Sequence, residues 1–162
     1  MNDSPAPIAI APIRKSIRVR AAPEQAFATF VGAMGQWWLK SHSLLKVPQT
    51  DVVIEPRAGG RWYEVGADGS EQPWGRVLEW DEPSRIVLAW QLTAEWAFDP
   101  DFETVVEVRF TADGDGTRVE FEHRDLERFG ANAAAVRGDY ESGMDGGWAA
   151  LLDGYRAVAE AA

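Results

Sequence analysis

The sequence contains no cysteine, which excludes disulfides, thiolate catalysis, iron–sulfur clusters and Cys-ligated zinc. Histidine is nearly as scarce, with only His42 and His123. A two-His metal site would need a loop residue and a strand residue to converge, so neither metal nor cofactor is expected. Positive charge is also short: 16 Lys and Arg stand against 26 Asp and Glu, a formal charge of −10. That sign disfavours nonspecific binding to nucleic acid or anionic membrane, because the chain is repelled by the phosphates it would have to approach. No run approaches the roughly 18 uninterrupted apolar residues of a membrane span. The first twelve residues carry three prolines and no Lys or Arg, unlike the basic and then apolar layout of a signal peptide. The expectation is a cytoplasmic protein without membrane insertion, with residues 1–11 as a mobile tail and residues 12–162 as one domain.

What is present describes a globule. The 162 residues are 46% hydrophobic and 26% charged, with 15 Gly and 9 Pro, and a chain of this size buries roughly 70% of its unfolded surface. Eight tryptophans are unusual. From Ile13 the pattern has period two, with Ile13, Ile17, Val19 and Ala21 on one side and Arg14, Ser16, Arg18 and Arg20 on the other, which predicts a half-buried strand with a solvated basic face. Ala22-Pro23-Glu24 opens a helix, with proline in the first turn and an acid at the positive end of the dipole. A second short helix is expected around Gln36, Trp37, Trp38 and Leu39.

Strands then follow at 51–56, 61–66, 74–80, 85–93, 103–111 and 117–124, separated by turn chemistry such as Asp68-Gly69. Alternation puts Ile86, Leu88, Trp90 and Leu92 on one face, with Val106, Val108 and Phe110, and Val119, Phe121 and His123, on the matching faces of the next two strands. The other faces carry Arg85, Gln91, Glu107, Arg109, Glu120 and Arg124 and read as wet. Met144, Trp148, Leu151, Leu152, Tyr155 and Val158 recur at helical spacing behind Ser142 and Asp145, which have the form of a capping box. The order strand, two helices, six strands, long helix predicts an α+β fold in which a curved antiparallel sheet of about six or seven strands grips the C-terminal helix.

Several motifs run through this order: Ala22-Pro23 with Ala26-Phe27, Trp37-Trp38, Gly59-Gly60-Arg61-Trp62, Asp68-Gly69, Gly75-Arg76-Val77-Leu78-Glu79 with Pro83 and Trp90, Thr117-Arg118-Val119 with His123, and Gly147-Trp148. In that order the chain resembles the START-like helix-grip superfamily known as SRPBCC, and within it the heat-shock-chaperone ATPase activator homologue family. The resemblance covers residues 13–160. It implies a helix-grip fold with an interior cavity for lipids, sterols, polyketides or other hydrophobic compounds, and it brings in a heat-shock chaperone as a partner to be tested. A homodimer is compatible with it.

His123 stands out because alternation turns it inward, where an imidazole must find a partner or stay neutral. A satisfied structural histidine competes with a catalytic one. Glu64 shares the Trp62 face of its strand and is the candidate partner, so His123 and Glu64 are the candidate acid/base pair. Trp37, Trp38, Trp62, Trp90 and Trp148 are expected between helix and sheet, each able to bury about 150–250 Å². A tryptophan-filled core competes there with an aromatic-lined pocket. Gly143, Gly146, Gly147 and Gly59-Gly60 suggest close backbone approach or a cavity mouth. The candidate cavity wall comprises the five tryptophans, Glu64, Leu88, Val106, Val108, Phe121, His123, Leu152 and Tyr155. Trp74 and Trp80 are left without an assigned face, and Trp96 is placed in a loop as a lid or interface residue.

Other motifs fail. His123-Arg124-Asp125 spells a kinase tripeptide without the accompanying phosphate loop, and Asp113-Gly114-Asp115-Gly116 lacks the glutamate that closes a calcium loop. Three functions remain open: a binding domain for a small lipid-like or aromatic ligand, a chaperone-associated regulator, and a cyclase, aromatase or hydrolase using His123.

Overall fold

The computed structural model describes residues 9–139 and 142–162. Residues 1–8 of the expected tail lie outside the described residues. Of the remainder, Ile10 packs against the core, and the carbonyls of Ala11 and Pro12 accept hydrogen bonds from the Arg137 guanidinium.

Seven strands form one antiparallel sheet in the order β1-β7-β6-β5-β4-β3-β2. They are β1 (Ile13–Val19), β2 (Gln49–Ile54), β3 (Arg61–Gly66), β4 (Glu71–Asp81), β5 (Arg85–Trp90), β6 (Thr104–Asp113) and β7 (Gly116–Arg124). Strands β2 to β7 are a meander, and β1 closes the far edge against β7, in register from Ile13 opposite His123 to Val19 opposite Thr117. Helices α1 (Pro23–Gly32) and α2 (Met34–Trp37) carry the chain from one edge to the other, and α4 (Gly143–Ala161) lies along the concave face. This is the expected α+β helix-grip architecture.

Register shifts at Gln49/Asp51 in β2, Trp62/Tyr63 in β3 and Val77/Glu79 in β4 bend and twist this half of the sheet. They also explain why faces could not be assigned in β4. Trp74 and Val77 are both buried although three residues apart, while Trp80 lies half-buried across from Phe27, with ring centroids 5.1 Å apart.

Two expectations need correction. Ser142 precedes α4 but makes no side-chain cap. Its hydroxyl faces Asp139 instead, and Asp145 pairs with Lys15 and Arg137. The short aspartate is drawn to those two cations across the sheet edge. The outer face is also not uniformly wet, because Val87, Ala89, Val105 and Glu107 are buried there. Arg85 and Arg124 both donate to Glu107. Burial alone pushes the Glu107 carboxyl up, but hydrogen bonds from Arg124 and Arg85 outweigh it and hold the group below the ordinary range. Between β7 and α4 the chain also forms a 3-10 helix (Leu126–Asn132) and α3 (Ala133–Arg137), neither of which the hydrophobic periodicity announced.

Candidate functional site

Helix α4 repeats its inward residues at helical spacing, so Met144, Gly147, Trp148 and Leu151 form one stripe near its N-terminal end. Opposite that stripe stand Trp38 and the chain just after it, Trp74 from β4, and Trp90 at the end of β5 with the loop that follows. Between them lies a pocket of about 840 Å³. Its walls are chiefly Trp38, Trp74, Trp90, Trp148, Leu92 and Leu151, and its polar groups are Ser41, His42, Ser43, Glu95 and Asn132. Among the described residues, no lysine or arginine lines it.

The indoles are continuous. Trp38 lies 4.7 Å from Trp74 and 5.7 Å from Trp148, and Trp62 is 5.7 Å from both Trp74 and Trp90. Trp96 extends the series at the rim, 6.2 Å from Trp90 and 50% exposed. It holds a left-handed backbone at φ 60°, a conformation that costs a bulky residue free energy and tends to cluster at ligand clamps.

Glu64 has the first of the buried polar networks. It is 0% exposed, and four neutral donors reach its carboxylate: Ser43 Oγ, the Leu44 amide at 3.0 Å, Gln49 Nε2 at 3.1 Å and Trp74 Nε1 at 2.8 Å. A buried carboxylate persists only if its lone pairs are filled this way. The result ties β2, β3, β4 and the loop carrying Ser43 into one unit beneath the pocket.

His123 has the second. Trp148 Nε1–H donates to His123 Nδ1 at 3.1 Å, and the other ring nitrogen lies 2.7 Å from Thr104 Oγ1. An indole nitrogen can only donate, so Nδ1 is the acceptor and Nε2–H donates to the threonine. Full burial pushes this imidazole down to about 3, so it is neutral. The expected pairing of His123 with Glu64 does not form, because each is saturated by other partners. Both nitrogens of His123 are occupied, which leaves it no free lone pair to act as a base.

Of the sequence-derived wall, Trp38, Trp90 and Trp148 line the pocket. Trp37, Trp62, Leu88, Val106, Val108, Phe121, Leu152 and Tyr155 are buried in the continuous core, with Glu64 and His123 set among them. Tyr155 donates its hydroxyl to the Ala26 carbonyl at 2.7 Å, and burial raises its phenol. A filled core and an open pocket thus coexist, one at the sheet centre and one at the N-terminal end of α4. Sequence reasoning missed His42, Ser41 and Ser43, which lie in a loop without periodicity, and Trp74, whose face the bulges obscure. Gly59-Gly60 does not mark the pocket. Gly59 has φ +82°, and a Cβ on Gly60 would lie 2.6 Å from the Glu55 carbonyl, so the pair serves a tight turn.

No helix among the described residues is long and apolar enough to cross a membrane. Among those residues no group of three or more His, Asp or Glu is placed to hold a metal ion.

Solved structures share this architecture. An anthrahydroquino-gamma-pyrone synthase, Txn09, is 36% identical with a TM-score of 0.61, over 90% of this chain and 97% of that one. The self-sacrificing resistance protein CalC from Micromonospora echinospora is 33% identical with a TM-score of 0.68, over 93% and 94%. The Aha1 dimer from Colwellia psychrerythraea, at 14% identity and a TM-score of 0.62 over 93% and 97%, shares the fold. No curated protein matches the sequence. The family model described as activator of Hsp90 ATPase homolog 1-like protein matches residues 20–160, which spans the gripped helix and six of the seven strands, and the chain belongs to that family.

Proposed function

We propose that this protein binds a flat, uncharged aromatic polycycle in the pocket beside α4. The observation that carries the reading is the convergence of Trp38, Trp74, Trp90 and Trp148 on a space they leave open. Aromatic faces offer large contact area at low conformational cost, and offset or edge contacts with a ligand ring add to the area term. Charge narrows the ligand class. Among the described residues that line the pocket, Glu95 is the one carboxylate and none is Lys or Arg, so an anionic ligand such as a fatty acid finds no Lys or Arg counterion there. The relative named as a synthase of an anthrahydroquino-gamma-pyrone, at 36% identity, supports an aromatic ligand over a lipid. Titration of 1,8-dihydroxyanthraquinone against intrinsic tryptophan fluorescence should give saturable quenching, and palmitate should give none. Absence of saturable binding by fused aromatics, or tighter binding of palmitate, would overturn the reading.

A second reading rests on the family match, which spans most of the chain. Association with an Hsp90-type chaperone would use an exterior surface and leave the pocket unexplained. The chaperone's ATPase rate with and without this protein decides it: stimulation supports that role, and an unchanged rate removes it.

A further inference from the structure

Gly147 sits within α4, where glycine is a poor helix former relative to alanine. Two other glycines in this helix, Gly143 and Gly154, have a structural reason. Gly143 adopts φ +60°, and a Cβ on Gly154 would come within 3.0 Å of the Trp37 carbonyl. Gly147 has neither: among the described residues a Cβ there would meet His42 Nε2 alone, at 3.8 Å, which is an ordinary contact. Packing of the protein against itself therefore does not call for glycine at this position. The missing side chain does widen the pocket at the point where α4 faces the His42 ring.

His42 is held for a polar contact. Its carbonyl accepts from Trp38 Nε1 at 3.1 Å, which fixes the backbone, and its Nδ1 lies 3.0 Å from Ser41 Oγ. Nε2 makes no hydrogen bond among the described residues and faces Gly147 across the gap. A serine hydroxyl can either donate to or accept from Nδ1, so Nε2 can present a lone pair or an N–H in return. That versatility suits a ligand oxygen that is either a phenol or a ring ketone.

We propose that the gap between His42 and Gly147 is a specificity slot for the oxygen-bearing edge of the aromatic ligand. In this slot Nε2 hydrogen-bonds the oxygen, and the bare helix backbone at Gly147 gives the ring edge its room. The inference rests on the pocket reading above and adds the residues that choose among aromatic ligands.

Two probes, 1,8-dihydroxyanthraquinone and anthracene, and two variants, Gly147→Ala and His42→Ala, test it, with thermal unfolding measured on each unliganded protein. Gly147→Ala should raise Tm by about 2–4 °C, because alanine favours the helix and restricts the unfolded chain. The same variant should weaken the hydroxylated probe about tenfold or more, because the added methyl overpacks the slot. His42→Ala should weaken that probe about five- to tenfold and leave anthracene unchanged, the loss expected of one neutral hydrogen bond. The slot is overturned if Gly147→Ala binds the hydroxylated probe as the wild type does, if it lowers Tm, or if His42→Ala weakens both probes equally. Failure of the wild-type protein to bind either probe would instead overturn the pocket reading on which the slot depends.

Discussion

Alternation turns two polar residues, His123 and Glu64, inward and makes them candidates for an acid/base pair, in competition with a structural role. Alternation shows which way a side chain points, and both do point inward. Partnership depends on which strands lie side by side and how far the sheet curves. Here Thr104 and Trp148 claim the imidazole, and four donors claim the carboxylate. The consequence for His123 is a pH dependence of stability. Its folded pKa is depressed to about 3 by burial, below the unfolded value of about 6.5. Between those values the unfolded chain takes up a proton that the folded protein refuses. The stabilisation is therefore full above about pH 6.5 and declines as pH falls toward 3, by up to about 1.4 kcal/mol per unit. Urea unfolding at pH 7 and pH 5 should show that decline in the wild-type protein, above the range where carboxylates titrate. In His123→Gln it should be reduced, together with a loss of about 1–3 kcal/mol at pH 7 as the Trp148 and Thr104 partners are left imperfectly matched. An undiminished slope in the variant would contradict the neutral, enclosed imidazole.

At the scale of elements, period-two and helical patterns located all seven strands and the helices α1, α2 and α4. What they missed has a common cause. Bulges in β2 and β4 break the two-residue period, and the 3-10 helix with α3 is too short to show a stripe. Gly75 shows how strictly one bulged region is built. It lies opposite Trp62 on one side and Trp90 on the other, and a Cβ added there would sit 1.8 Å from the Ala89 carbonyl. That contact is with backbone and cannot be relieved by a rotamer change. Gly75→Ala should cost about 3 kcal/mol, read as a lowered urea midpoint, and should disturb the Trp62 and Trp90 environments in near-ultraviolet circular dichroism. A variant as stable as the wild type would show that β4 can shift without penalty.

For the whole molecule, the pocket is linked to global stability because it draws on α4, β4, β5 and the loop anchored through Glu64. A ligand that binds only the folded state at a hundred times its Kd should add about 2.7 kcal/mol, a rise in Tm of several degrees for a chain of this length. Thermal scans with increasing 1,8-dihydroxyanthraquinone should show that rise, growing with the logarithm of concentration, and a flat response would mean no linked site. The sequence by itself determined the class of fold, the inward faces of most strands and the gripped helix, because burial of one face imposes a period that survives in the order of residues. It also limited the chemistry through missing cysteine, scarce histidine and excess acid. Only the tertiary structure decided which tryptophans fill the core and which border open space. It alone brought His42 from an unpatterned loop to Gly147, because such meetings depend on sheet curvature and loop anchoring, which no local period encodes.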